Sequence, residues 1–235
     1  MIRIAIVDDE KIILRSIHKK IEGLFCKAGV KFEIYDYTDA VVALKEIEKS
    51  SFDILFLDID MPEISGMEIA KKLRVQEENI DIVFITNKEE LVYDAIKFTP
   101  FRFIRKYRFE DEIEEAVNEF MNKFGKNNYT YMFSTPQGKK GVLVTWIKYI
   151  EVMSHKLNIH GIKESFIANG NLKDIEDIFY DFGFLRVHQS YLVNYRFINL
   201  IKHKEVIIDN GTTLPISRGK YEKIKFDYMR FSREI

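Results

Sequence analysis

The chain has 235 residues, 46% hydrophobic and 31% charged, and a length that allows two modest domains with separate cores. Its formal net charge of −1 hides a division: residues 1–125 carry 19 Lys and Arg against 26 Asp and Glu, while residues 126–235 carry 17 against 11. Cys26 is the only cysteine, which excludes an intrachain disulfide and fits a reducing compartment.

In chain order, residues 2–7 form the first continuous apolar run and end at the acid pair Asp8-Asp9. Ile13, Ile17 and Ile21 then recur at four-residue steps with Leu14 and Leu24 on the same face, which predicts a helix with Cys26 as a small buried hydrophobe. Residues 32–37 alternate and read as an edge strand, and Val41, Leu44 and Ile47 predict a second helix. Residues 54–57 are a second buried strand, ending in Asp58-Ile59-Asp60-Met61-Pro62. Residues 82–85 and, more weakly, 101–104 are two further strands, and 110–120 is a last amphipathic helix with Ile113, Val117 and Phe120 inward. Strands alternating with helices predict a doubly wound α/β domain, a five-stranded parallel sheet of flavodoxin-like type, over residues 1–122. The polar stretch 123–128 is the expected linker.

Residues 129–235 predict a mostly-β second domain. Its β-prone pieces are 129–134, 141–145, 149–153, 157–160, 166–168, 184–187, 205–208 and 212–216, with turn signals such as Pro136-Gln137-Gly138 and Asp209-Asn210-Gly211. One helix interrupts, with Asn171 as N-cap and Leu172, Ile175, Ile178 and Phe179 on one face. An acidic half joined to a basic half suggests nucleic-acid contact by the second, although charge alone leaves a coincidence of solvated faces nearly as open. Arg3, Asp8 and Asp9 do not read as a signal peptide, and no apolar run nears the roughly 20 residues of a bilayer span. A cytoplasmic protein without membrane contact is expected.

In a parallel sheet the C-terminal ends of neighbouring strands share one edge, where α/β proteins place their ligands. Asp8, Asp9 and Asp58 at that edge repel one another unless a hard cation sits between them. Mg²⁺ suits such a pocket because it takes one or two carboxylates and keeps positions open for water and phosphate.

Four motifs in order then carry a resemblance: Val7-Asp8-Asp9-Glu10, Leu57-Asp58-Ile59-Asp60-Met61-Pro62 followed by Gly66, Ile85-Thr86, and Phe103-Ile104-Arg105-Lys106. Over residues 1–122 the chain resembles the receiver domain of bacterial two-component response regulators. The resemblance implies that Asp58 takes a phosphoryl group from a sensor histidine kinase, and that Asp8, Asp9, Asp58 and the backbone carbonyl of Asp60 hold Mg²⁺. It also implies that Lys106 and Thr86 bind the phosphoryl oxygens while Phe103 acts as the switch aromatic. Asp53 and the Asp60 side chain are expected to be merely solvated. One departure is Tyr107, where the family has a proline that is often cis; a non-proline cis bond costs about 3 kcal/mol, so a trans, differently shaped loop is expected.

Residues 147–151, Phe184-Leu185-Arg186-Val187-His188-Gln189-Ser190-Tyr191-Leu192-Val193-Asn194, and 214–218 carry a second resemblance, to the LytTR family of β-rich DNA-binding domains, over residues 129–235. It implies that His155, Gln189 and Arg218 reach base edges in double-stranded promoter DNA, with Lys156, Ser190 and Lys220 nearer the phosphates. Arg186 and His188 share a strand face and are expected to brace the fold or meet phosphate. Asn194 is expected to cap a turn, and Trp146 to cover the sheet. The expected function is a phosphorylation-controlled transcriptional regulator, with homodimerisation on phosphorylation or on DNA. Neither a G-x-S-x-G elbow nor a paired-cysteine site nor a P-loop is present, so no separate enzymatic output is expected. The alternatives are a DNA binder uncoupled from phosphorylation, or a regulator acting through RNA or protein partners.

Overall fold

The computed structural model describes residues 1–76 and 78–233, which divide into two compact units, residues 1–121 and 122–235. In the first unit the elements are β1 (Ile2–Val7), α1 (Lys11–Lys27), β2 (Phe32–Tyr37), α2 (Ala40–Lys49), β3 (Ile54–Leu57), α3 (Gly66–Val75), β4 (Asp81–Thr86), α4 (Val92–Ile96), β5 (Arg102–Arg105) and α5 (Phe109–Asn127). The sheet is parallel in the order β2-β1-β3-β4-β5, so β1 and β3 are neighbours and the alternating segment is indeed an edge. Strands buried on both faces read as continuous apolar runs, which is why β1, β3 and β4 are almost unbroken Ile, Val, Leu and Phe.

Side chains from α2, α3 and α4, among them Leu44, Ile47, Ile69, Leu73 and Ala95, cover one face over Val7, Leu55, Leu57 and Phe84. On α1 and α5, Leu14, Ile17, Ile21, Ile113, Val117 and Phe120 are buried, and the Phe25 and Phe120 rings lie 6.2 Å apart. Cys26 is exposed, contrary to expectation. The buried stripe of α1 runs through Leu14, Ile17, Ile21, Leu24 and Phe25, and one further step of about 100° carries position 26 off it.

The stretch expected to be a linker is helical through Asn127. Gly125 has open space around it and lies within the helix, whose end is closed by Asn128, with its backbone and side-chain amides both on the Phe124 carbonyl. Polar residues with a single glycine read as a loop, yet on an exposed helix face they cost only about 1 kcal/mol.

The second unit adds β6 (Thr130–Thr135), β7 (Gly138–Leu143), β8 (Ile147–Met153), β9 (Lys156–Gly161), β10 (Ser165–Asn169), α6 (Leu172–Tyr180), β11 (Phe184–His188), β12 (Tyr191–Asn194), β13 (Ile198–Ile201), β14 (Glu205–Ile208), β15 (Thr213–Pro215) and α7 (Tyr221–Arg233). One sheet runs β11-β12-β8-β9-β10-β6-β7, and a smaller one runs β13-β14-β15. Leu172, Ile175 and Phe179 of α6 pack on Ile150, Leu157, Ile159 and Leu192. A second core joins Leu185, Val187 and Val193 to Val206, Ile208, Ile224 and Phe231.

Asn171 caps α6 by accepting from the Lys173 and Asp174 amides. Asn194 is buried, takes the Arg196 amide and donates to the Ile147 carbonyl 3.0 Å away, a turn cap as expected. Trp146 is 40% exposed, with Lys163 over its ring, so it covers the sheet less than expected.

Candidate functional site

Because Val7 is in register with Leu57, the residues after them emerge together at one edge of the first sheet. Asp8 is fully buried there and Asp58 nearly so; carboxylate oxygens of Asp8, Asp9 and Asp58 all lie within 4.8 Å of one another. The Lys106 ammonium sits between them, 2.8 Å from Asp8 Oδ2 and 2.7 Å from Asp58 Oδ2, with its side chain only 11% exposed. The neighbouring cations on β5 are spent elsewhere, Arg102 on Glu115 and Glu119, and Arg105 on Glu112. Lys106 therefore belongs to the pocket and not to the basic run around it.

Burial pushes the Asp8 carboxyl above its ordinary value, and the nearby Lys106 ammonium only partly offsets this. Burial alone would lower the Lys106 pKa, but the hydrogen bond to Asp58 and the adjacent Asp8 carboxylate outweigh it and leave it raised. Although Lys106 lies close, its approach to Asp8 Oδ2 is off the line of a hydrogen bond, so this buried oxygen lacks a directed donor. Three converging carboxylates with an underserved buried oxygen are the donor set a hard divalent ion takes.

The remaining first-unit candidates lie around this pocket. Thr86 is buried at the end of β4, and its hydroxyl accepts the Lys88 amide at 3.3 Å. Phe103 is half-buried, its ring 6.4 Å from that of Phe84, beside a cleft of about 560 Å³ lined by Glu89, Tyr93, Arg105 and Glu112. Asp60 donates its backbone amide to Asp58 Oδ1, and its side chain pairs with Lys88 at 2.7 Å instead of being merely solvated. Asp53 likewise departs from expectation, accepting the Arg3 amide at 2.8 Å to tie β3 to β1. There is no cis peptide among the described residues, so the bond to Tyr107 is trans. The Lys106–Arg108 segment forms a short 3₁₀ turn, from which the Tyr107 hydroxyl reaches Glu89.

In the second unit three turns gather at one sheet edge. Ser154 and His155, with φ of +50° and +62°, form the two-residue β8–β9 hairpin turn. Beside it, the Val152 amide donates to the Ser190 carbonyl, which docks the Gln189–Ser190 turn on β8. The turn carrying Arg218 is fixed to β11 by the Ser217 amide on the Val187 carbonyl and by Lys220 Nζ on the Arg186 carbonyl. The structure thus brings His155, Lys156, Gln189, Ser190, Arg218 and Lys220 to one side of the domain, and the His155, Lys156, Gln189 and Arg218 side chains meet no partner among the described residues.

Comparison with known proteins matches residues 4–118 to the response regulator receiver domain and residues 140–227 to the LytTr DNA-binding domain. The chain is a LytTR-type response regulator. It is 25% identical over 240 residues to the sensory transduction protein LytT of Bacillus subtilis, covering 96% of this chain and 98% of that one. It is 27% identical over 244 residues to the transcriptional regulatory protein BtsR of Escherichia coli K12, at 96% and 98% coverage. Among solved structures, the response regulator TrrA of Thermotoga maritima aligns at 28% identity and a TM-score of 0.45, over 51% of this chain and 99% of that one. Among the described residues, no helix is long and apolar enough to cross a membrane.

The sequence reading of the receiver missed Gly66's packing role, and that of the LytTR domain missed Lys139. Sheet pairing sets Lys156, Asn169, Ser134 and Lys139 in one exposed cross-strand row, about 14 Å long at the usual strand spacing. The only local signal was the pair Lys139-Lys140, because strand register is not written in local sequence.

Proposed function

We propose that Asp58 is the phosphoacceptor and that its phosphorylation controls promoter binding by the three-turn edge of the LytTR domain. The observation that carries this is Lys106 Nζ spanning Asp8 and Asp58 in a buried pocket. An Asp58 carboxylate oxygen attacks the phosphorus of a phosphohistidine on the sensor kinase. The P–O bond forms as the P–N bond breaks, and that electron pair returns to the imidazole. Lys106, already placed, and the Thr86 hydroxyl, on moving toward Asp58, then hold the phosphoryl oxygens. Phe103 follows into the space Thr86 leaves.

Asp8, Asp9, Asp58 and the Asp60 carbonyl are the ligands for Mg²⁺, which when bound neutralises charge on the transferring group. On the output side, His155, Gln189 and Arg218 read base edges, while Lys156, Ser190 and Lys220 fix the backbone. Exposed Tyr93, Ile96 and Tyr107 around α4 and β5 supply the face for homodimerisation, which gives two LytTR domains the gain of effective concentration on one duplex. The output is DNA binding and not a separate catalytic activity, and the protein works where promoter DNA lies, in the cytoplasm.

Phosphoramidate, whose P–N bond matches that of phosphohistidine, tests the acceptor. Wild type should gain one phosphoryl group by intact mass in Mg²⁺, and Asp58→Ala none. Retained uptake by the variant removes the assignment.

A further inference from the structure

The strand ladder holds the turn that carries Gln189 by one pair alone. The register of β11 against β12 shifts between Leu185 and His188, so the regular ladder breaks off before the turn and only His188–Tyr191 closes it. The Arg186 side chain reaches forward to the turn and adds a second hold: its Nε donates to the His188 carbonyl at 2.8 Å, and its Nη2 donates to the Gln189 carbonyl at 2.5 Å. The third guanidinium nitrogen, Nη1, is buried and faces Glu176 Oε2 of α6 at 3.3 Å without a directed hydrogen bond. From the other side Lys220 Nζ donates to the Arg186 carbonyl, and the Ser190 amide donates to His188 Nδ1.

Arg186 is only 15% exposed along its side chain, with Nε and Nη2 on turn carbonyls and Nη1 facing Glu176, so little of the guanidinium is left for a phosphate. A planar, always-charged fork suits this place because it meets two carbonyls at once, which lysine, a single flexible point charge, does not. Burial works against the guanidinium charge and Glu176 supports it, so α6, acidic through Asp174, Glu176 and Asp177, has a use behind the reading edge.

Building on the proposed role of Gln189 in base readout, we infer that Arg186, held by Glu176, is a positioning residue that fixes the Gln189 turn and thereby sets sequence discrimination without touching DNA. A side chain that reads bases must be held in its productive geometry by residues behind it. Loss of the clamp frees the turn, so the correct site loses its advantage while attraction to any phosphate backbone stays.

The test measures full-length protein on two duplexes, one enriched from random sequence by the wild type and one scrambled, across a salt series. Arg186→Gln should lower the selected-to-scrambled affinity ratio at least tenfold, leave scrambled-duplex affinity within about twofold, and leave the salt slope unchanged. Arg186→Lys should fall between. A salt slope reduced by about one unit would make Arg186 a phosphate contact and overturn the inference. An unchanged ratio overturns it as well. Gln189→Ala run beside them separates the two levels. If it loses discrimination while Arg186→Gln does not, the clamp alone fails; if it keeps full discrimination, the readout role fails and the inference with it. Should Arg186→Gln not fold, Glu176→Gln, on a more exposed carboxylate, carries the same measurement: a several-fold drop in the ratio supports the clamp, and no drop removes it.

Discussion

The Cα of Gly66 lies directly against the backbone carbonyl of Asp58: a Cβ at position 66 would come within 2.0 Å of that oxygen. Gly66 opens α3 behind the Ser65–Glu68 capping box, and its amide donates to the Ile59 carbonyl, so the helix start and the phosphoacceptor strand are packed backbone to backbone. Backbone cannot swing aside as a side chain does. Gly66→Ala is expected to cost about 1–3 kcal/mol in stability through overpacking. It should also weaken Mg²⁺-dependent beryllofluoride binding, followed by thermal shift, by displacing Asp58. A variant with wild-type stability and binding would show that α3 slides freely.

The electrostatics of Asp8 set a pH dependence. Its carboxyl has a folded pKa raised above the model-peptide value of 3.8, first by burial. A raised folded pKa contributes stability below pH 3.8 that is lost as pH rises through the folded value, so at neutral pH the ionised carboxylate is a burden. Asp8→Asn in chelator should therefore match or fall below the wild type near pH 3 and become the more stable of the two at pH 7. Lys106 keeps its partner Asp58 in the variant. Adding Mg²⁺ should raise the melting temperature of the wild type and leave Asp8→Asn unmoved. A variant less stable than wild type at pH 7 would mean that the Lys106 pair outweighs desolvation.

Removing Lys106 is the opposite experiment. Its ammonium is the cation nearest two buried carboxylates, and breaking a buried pair by deleting one partner costs about 3–5 kcal/mol. Lys106→Met in chelator is expected to unfold at much lower denaturant and to regain part of the loss with Mg²⁺. Equal denaturation midpoints with and without Mg²⁺ would separate the metal site from the lysine site.

His155 stands at φ +62° beside Ser154 at +50°, a conformation that costs a residue bearing Cβ about 1 kcal/mol. Strain kept at an exposed tip points to a use for the side chain. His155→Gly should leave the melting temperature unchanged or higher, while affinity for a selected duplex falls by about 1–3 kcal/mol. Lower stability with unchanged affinity would make His155 a packing residue.

The hydrogen bond from Tyr191 to Glu151, 2.6 Å long, pushes the phenol up to about 12, with burial adding to it. The folded value exceeds the ordinary 10, so the contribution is complete below pH 10 and fades as pH rises through about 12. Tyr191→Phe is expected to lose about 1 kcal/mol at pH 8. The gap to the wild type should close in alkali; a gap that stays constant to high pH would place the loss in packing.

Much of the receiver was legible because its strands are doubly buried and end in their own functional residues. Asp8, Asp58, Thr86 and Lys106 each follow or close an apolar run, and parallel order then brings them together. The LytTR half was less open. β12 was read only as part of the 184–194 motif and β13 went unread, since Tyr191–Asn194 and Ile198–Ile201 are separated only by a short 3₁₀ turn. The course of α7 beyond a helix start near Arg218 went unread because Phe226 and Met229 face solvent while Asp227 is buried with the Tyr180 hydroxyl on its carboxylate, an inversion of amphipathic order that only tertiary packing resolves. Arg186 could be assigned to a strand face, but its side chain turns forward onto the His188 and Gln189 carbonyls next to a register shift that local sequence does not mark.

The three turns at the LytTR edge close different elements, the β8–β9 hairpin, the β11–β12 hairpin and the segment after β15, and the ties between them run mostly through backbone amides and carbonyls, which a side-chain exchange leaves in place. Each is short and none contributes a large side chain to the cores. A substitution in one turn therefore leaves the framework and the other two standing. Such a scaffold lets a lineage exchange one promoter preference for another in single steps, each intermediate still folded and still holding most of its grip on the old site.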